Sequence, residues 1–202
     1  MTKDGQTRQP RAERTRRQIL EAGAELFSRE GYHATSSKKI ARAAGISVGS
    51  FYNHFRDKKE LLLAVYREHV EKVHETILAA LQDADFAGGR RKGRGLVEEI
   101  INQTLRVHSL SPELHRQMTA LRYTDEDVAR VVAQEDQRVA DMLVRMLSEG
   151  GALRVDDVEA AAWVVLASVE QIVHAIKMSE PPIAGERLVA ALAEMVHRFL
   201  YP

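Results

Sequence analysis

The sequence predicts an all-α protein of nine helices. Apolar residues recur at spacings of three and four along most of the chain, the signature of helix faces. No stretch alternates convincingly as a strand. Glycine, proline and small hydroxylic residues fall where helices would begin or end. The first helix follows a polar stretch, residues 1–11, whose Lys3, Arg8 and Arg11 form an expected flexible basic arm. Beyond it Ile19, Gly23, Leu26, Phe27 and Glu30 trace helical spacing as far as Gly31, a natural stop.

Residues 35–61 predict three more helices in quick succession. Ser36 precedes the stripe Ile40, Ala43 and Ala44 and suits an N-cap, while Gly45 suits the left-handed residue that closes the helix. Ser47 then caps another helix only two residues after Gly45, which forces the sharp interhelical angle of a helix-turn-helix. Phe51 and Phe55 share one face of that helix, and Ser50, Asn53 and His54 share another, where small and polar groups reach base edges or phosphates. Asp57 caps helix 4, which is free of Gly and Pro to about Gln82 and is therefore roughly 39 Å long. Its row Leu61, Val65, His69, Val73, Ile77 and Leu81 winds around the axis, so the two ends face different cores and the helix serves two domains. His69, mid-row, is expected to be a partly buried structural imidazole.

Asp83 to Gly95 holds four glycines and four basic residues and reads as a surface loop, since no strand precedes it and no Gly-Lys-Ser/Thr ends it. Further helices are expected at about 94–109, at 112–123 opened by Ser111 and Pro112, at 125–149 closed by Gly150 and Gly151, and at 156–179 and 186–201. In the penultimate helix Val158, Ala162, Val165, Val169, Ile172 and Ile176 form one stripe, with a second set at Ala161, Trp163, Leu166 and Val173. The last helix carries Leu188, Leu192, Met195 and Phe199. Two such helices from each of two chains make an antiparallel four-helix bundle, which places Val165, Val169, Ile172, Ile176, Leu188, Leu192, Met195 and Phe199 at a homodimer interface.

Net charge is zero, but residues 1–60 carry 13 Lys/Arg against 7 Asp/Glu, and the acidic excess lies beyond them. A basic first third draws in phosphate. Cysteine is absent, which excludes disulfides and thiolate chemistry. No signal peptide or membrane span is expected, and the expected location is the cytoplasm. No metalloprotease, serine-hydrolase or phosphate-binding signature is present, so neither an enzyme nor a cofactor is expected. His69 and His74 lie five apart and cannot chelate as an i,i+4 pair; no metal site is expected, a sensor built from His108, His115 and a carboxylate being the alternative.

The residues Thr35, Ile40, Ala41, Ala44, Gly45, Ser47, Tyr52, Phe55, Lys58 and Leu61, above all Tyr52-x-x-Phe55-x-x-Lys58-x-x-Leu61, resemble the TetR family of bacterial transcriptional regulators. Ile19, Ala22, Phe27 and Gly31 in the preceding helix fit the same pattern, and the resemblance fades after about residue 72. Two positions depart from it: Ser37 stands where an apolar residue is usual, and Lys39 where an acid often completes a capping box.

The resemblance implies a flexible arm at 1–11, a helix-turn-helix DNA-binding domain at 12–72 and a ligand-binding and dimerisation domain at 73–202. DNA contacts are expected from Thr35, Ser36, Ser47, Val48, Gly49, Ser50, Tyr52, Asn53, His54 and Lys58, with Thr35, Tyr52 and Lys58 on phosphates and Gly49 allowing close backbone approach. A small organic effector is expected among helices 5–7, near Asn102, His108, Met118, Arg122 and Tyr123 with Gln117 adjacent, and near Trp163, Glu170 and His174 of the penultimate helix. Glu170 and His174, four apart, equally suit a pair along the helix. The expected function is that of a homodimeric repressor, bound to palindromic double-stranded DNA and released by the effector. The alternatives are a DNA-binding protein without an effector and a helical small-molecule-binding protein.

Overall fold

Capping side chains fix where the short helices begin. Ser36 Oγ accepts the Lys39 N–H at 3.3 Å and Ser47 Oγ accepts the Ser50 N–H at 3.0 Å, so each hydroxyl satisfies a donor that the first helical turn leaves open. Between them Gly45 takes a left-handed φ of +66°. The computed structural model describes residues 4–86, 93–107, 112–149, 153–179 and 181–202. These contain α1 (Asp4–Glu30), α2 (Ser37–Ala43), α3 (Val48–Tyr52), α4 (Lys58–Phe86), α5 (Arg94–Val107), α6 (Pro112–Thr124), α7 (Glu126–Glu149), α8 (Val158–Met178) and α9 (Gly185–Leu200), and among the described residues there is no strand. The all-α class and the nine helices match the sequence reading.

Two boundaries differ from expectation. Helical backbone reaches back to Asp4, into the stretch expected to be a flexible arm; after Gly5 that stretch is rich in Gln, Arg and Ala, good helix formers, with Pro10 its one breaker. At the far end of α4 helical backbone continues past Gln82 to Phe86, and the remainder of the expected loop up to residue 92 lies outside the described residues.

The chain divides into two units. The first holds α1–α3, α4 as far as His69, α6, and α7 as far as Val131. Its core is built from Ile19, Phe27, Ile40, Phe51, Phe55, Leu61 and Leu62, all essentially buried. Each such side chain contributes about 1.5–3 kcal/mol by leaving water. The buried face of α6, Leu114, Met118 and Leu121, belongs to this unit, which a boundary near residue 72 does not anticipate. A polar contact reinforces it: the Lys59 ammonium on α4 meets Asp125 at 3.1 Å and Asp127 at 2.8 Å, while Asp125 Oδ1 also accepts the Asp127 and Val128 N–H groups that open α7. His69 is buried, as a structural imidazole should be.

In the second unit Ile101, Leu147, Ala162, Leu192, Val196 and Leu200 lie at the centre of the core. Of the residues expected at a dimer interface, Val165, Val169, Ile172 and Ile176 are partly buried against this core, Leu188 is half-buried and Leu192 is only 5% exposed. The reason is that α8 is apolar on more than one side, and its regular stripe is taken by α5 and α9 of the same chain. What remains exposed is another stripe of α8, Ala160, Trp163, Val164 and Ala167, together with Met195 and Phe199 of α9, which belong to the expected interface, and Ala191 beside them. Among the described residues α8 alone is long and apolar enough to cross a membrane, by length and composition only.

Hydrogen bonds and charge from Lys59 hold both Asp125 and Asp127 below the ordinary carboxylate range, and the same contacts raise the Lys59 ammonium. The pair therefore stabilises the fold above the carboxylates' unfolded pKa, and that contribution is lost as pH falls through their lower folded values. Thermal melts followed by circular dichroism from neutral pH down to about pH 3 should show a shallower acid-side loss of stability for Lys59→Met than for the wild type. Parallel curves would mean that the pair does not contribute.

Candidate nucleic-acid interface

α3 is held from beneath by aromatic packing. Phe51 and Phe55 are buried with ring centres 6.0 Å apart, and the Arg16 guanidinium of α1 lies 5.1 Å from the Phe55 ring centre, a cation–π contact worth about 0.5–1 kcal/mol at an exposed site. Tyr52 stands edge-on to Phe51 at 5.4 Å yet keeps 55% of its surface exposed. Val48, Gly49 and Asn53 are exposed, and Ser50 and His54 half-buried. Asn53 is the C-cap of α3 and His54 lies in the turn beyond, so both are presented from the end of the helix instead of from its face as expected.

Gly49 carries no internal reason to be glycine. A Cβ there would meet nothing closer than Ser47 Oγ at 3.9 Å. A residue the fold does not require to be small is free to be small for something that approaches from outside. Ser36 and Ser47 are exposed and already accept a backbone N–H each, which leaves the hydroxyl proton of each for a partner.

Two expected phosphate contacts prove to be internal. Thr35 is 1% exposed, and its hydroxyl donates to the Gly31 carbonyl at 2.7 Å, so its side chain braces the turn after α1. The Lys58 ammonium donates to the carbonyls of Tyr32 at 2.7 Å and Thr35 at 2.8 Å, with His33 at 3.4 Å, and lies 4.4 Å from the Tyr32 ring centre. Burial pushes its pKa down. Three carbonyls and one ring of a single polypeptide turn thus use the charge that the sequence reading assigned to DNA.

Other cations have no such internal partners. Lys38 and Arg42, four apart on α2, are exposed and have no carboxylate partner among the described residues, whereas Lys39 is tied to Glu30 at 2.9 Å and Arg17 to Glu21 at 3.2 Å. The sequence reading missed Lys38 and Arg42, although their spacing along a capped helix was the signal that would have found them.

The expected effector residues divide between the two units. Met118 is buried in the first unit, where Tyr123 is 81% exposed and Arg122 half-buried. Asn102, Glu170 and His174 are half-buried in the second unit, and His108 lies outside the described residues. Trp163 is 41% exposed and lines an open cleft of about 620 Å³ with Gln137, Asp141, Val144, Arg145 and Asp157. Tyr123 and Trp163 are thus surface residues, not the walls of an apolar pocket. Among the described residues no three metal-ligating side chains cluster.

Residues 19–65 match the family described as bacterial regulatory proteins, tetR family, and residues 94–200 match the tetracyclin repressor-like C-terminal domain. The chain belongs to the TetR family. TetR-family proteins are transcriptional regulators with a helix-turn-helix DNA-binding domain, not enzymes. The transcriptional activator FasR of Mycolicibacterium smegmatis is 41% identical over 91 residues, 45% of this chain and 40% of its own length. The regulator UidR of Escherichia coli K12 is 33% identical over 115 residues, 48% of this chain and 56% of its own length. This chain thus spans about half the length of these curated relatives. A transcriptional regulator from Saccharomonospora viridis, solved in complex with choline, has the same fold with a TM-score of 0.71 at 18% identity, covering 93% of this chain and 97% of that one.

Within this TetR-family reader, Lys58→Met is expected to lower the melting temperature and to leave the salt dependence of DNA binding unchanged. Replacing Lys38 and Arg42 together by Ala should reduce the slope of log K against log salt by about 1.8 for each protomer bound. Titrations of labelled duplex at several salt concentrations distinguish the two, and a reduced slope in Lys58→Met would restore that residue to the phosphates.

Proposed function

We propose that the protein is a cytoplasmic, homodimeric repressor that binds a twofold-symmetric operator and is released by a small organic effector. The observation that carries the DNA-reading part is the exposed set around α3, Val48, Gly49, Tyr52 and Asn53, on a helix anchored by buried Phe51 and capped by Ser47. Such an element supplies base contacts from Ser50, Asn53 and His54, while the free cations Lys38 and Arg42 and the Tyr52 hydroxyl hold phosphates. Gly49 lets the backbone come close.

The dimer is supported by the exposed apolar stripes of α8 and α9. Isolated surface apolar residues need no explanation, but Trp163 and Val164 beside Ala160 and Ala167, and Met195 and Phe199 beside Ala191, are runs along helices. A second copy covers both in an isologous interface, and two readers then match two half-sites about one helical turn apart or a multiple of it. The effector is supported by less: the Saccharomonospora viridis protein shows that this fold can house a small organic molecule. An effector acts only by binding the DNA-competent and DNA-incompetent arrangements unequally. FasR is named an activator, the opposite sense to the repressor proposed here.

Repeated selection from a random duplex library should enrich a palindrome for the wild-type protein. Asn53→Ala should enrich a different sequence at one position per half-site, with a loss of about 1–3 kcal/mol on the original palindrome. Enrichment of no sequence by the wild type would remove the sequence-specific reading, and an unaltered preference would remove Asn53 from it. Sedimentation should report a dimer for the wild type and a folded monomer for the double variant Met195→Glu, Phe199→Glu; a persisting dimer would place the interface elsewhere.

A further inference from the structure

We propose that Gln117, a residue of α6 within the C-terminal family domain, is a positioning residue for the DNA reader, acting on the turn between α1 and α2 through the backbone of Tyr32. It deepens the DNA-binding reading above and rests on it.

Tyr32 is the first residue after the left-handed Gly31, which closes α1 with φ +84° and an N–H donated to Phe27 O at 3.1 Å. Its own N–H is donated to Gln117 Oε1. The other end of that amide, Nε2, donates to Glu113 Oε1, and Glu113 Oε2 in turn accepts from Arg116 Nη2 at 2.8 Å. This fixes which way the amide points, because a carboxylate can only accept and a peptide N–H can only donate.

The approach is so close that a Cβ at Gly31 would collide with the Gln117 amide. Glycine at 31 therefore answers two needs, a left-handed backbone and room for a side chain from a helix remote in sequence. On the other side of Tyr32 the Lys58 ammonium takes its carbonyl and the Thr35 carbonyl, at 2.7 and 2.8 Å. Thr35 returns a hydrogen bond to Gly31 and directly precedes Ser36, the N-cap of α2. The turn is gripped from α6 through one peptide group and from α4 through the next, and α2 begins where that grip ends.

The test exchanges the two partners. In Gln117→Glu the carboxylate still accepts the Tyr32 N–H but faces Glu113, a like charge. In the double variant Glu113→Gln, Gln117→Glu the carboxylate at 117 again accepts the Tyr32 N–H with no like charge facing it, and the hydrogen bond between positions 113 and 117 re-forms with donor and acceptor reversed. Two measurements are made on the full chain: amide hydrogen exchange of the segment containing Tyr32, and affinity for the duplex selected by the wild type. Gln117→Ala and Gln117→Glu should each speed exchange and weaken duplex binding about tenfold, the equivalent of one hydrogen bond, without altering the salt slope. The double variant should return both to within about twofold of the wild type, which the mere loss of α6 packing would not. A double variant no better than Gln117→Ala, or a Gln117→Ala protein that exchanges and binds like the wild type, overturns the proposal. If the wild type selects no duplex, the DNA reading fails, and with it the positioning role that rests on it, while the exchange data still decide whether the contact exists.

Discussion

The reader depends on where α1 stops. A helix of good formers does not end by itself, and Gly31 ends this one by turning the backbone left-handed, after which the polar groups around Tyr32 are taken up: Tyr32 N–H by Gln117, Tyr32 and Thr35 carbonyls by Lys58, and Gly31 carbonyl by the Thr35 hydroxyl. A half-buried turn cannot leave such groups without partners, because each would cost about 1–3 kcal/mol of unrecovered hydration. Satisfying them requires α4 and α6 to be in place. The turn is thus the element through which the longer helices of the first unit are set against one another.

This constraint alters the meaning of the charge. Thirteen basic residues in the first sixty look like a field for phosphate, yet several are spent inside the protein: Lys58 on carbonyls, Lys59 on Asp125 and Asp127, Lys39 on Glu30, Arg16 over Phe55. The described cations left exposed and without an acid partner are fewer, Arg11 and Arg14 on α1 and Lys38 and Arg42 on α2 among them. A phosphate contact needs a charge that is still free after folding, so the count of basic residues overstates the footprint while their local pairing locates it.

Features fixed within a few residues were legible in the sequence. Ser36, Gly45, Ser47 and Asp57 mark helix ends because a cap answers to donors three residues away, and all four do so in the structure, Asp57 by accepting the Glu60 N–H at 2.8 Å. The aromatic pair Phe51 and Phe55 was legible for the same reason. Contacts between distant segments were not. Nothing near residue 117 announces a hydrogen bond to residue 32, and Lys58 and Thr35 look like phosphate ligands until the turn they serve is seen. Nor does periodicity say which of two units a side chain joins: the residues expected around an effector fall in both, with Tyr123 and Trp163 at the surface.

The misassigned stripe on α8 has a particular cause. A helix with one apolar face states which side is buried; a helix with two states only that two partners exist. The row Val165, Val169, Ile172 and Ile176 is the more regular, and regularity was taken as a sign of an interface between chains. Yet a core inside one chain selects for the same spacing, and it is filled first because α5 and α9 are covalently tethered and lose less entropy on docking than a second molecule would. The less regular stripe, Trp163 and Val164 among alanines, is left over. That residue of unsatisfied surface accounts for a helix apolar enough by composition to pass for a membrane span, although Ala161, Ala162 and Val173 are buried in the protein. In the proposed dimer the second stripe meets its own copy, and the hydropathy of α8 needs no membrane to explain it.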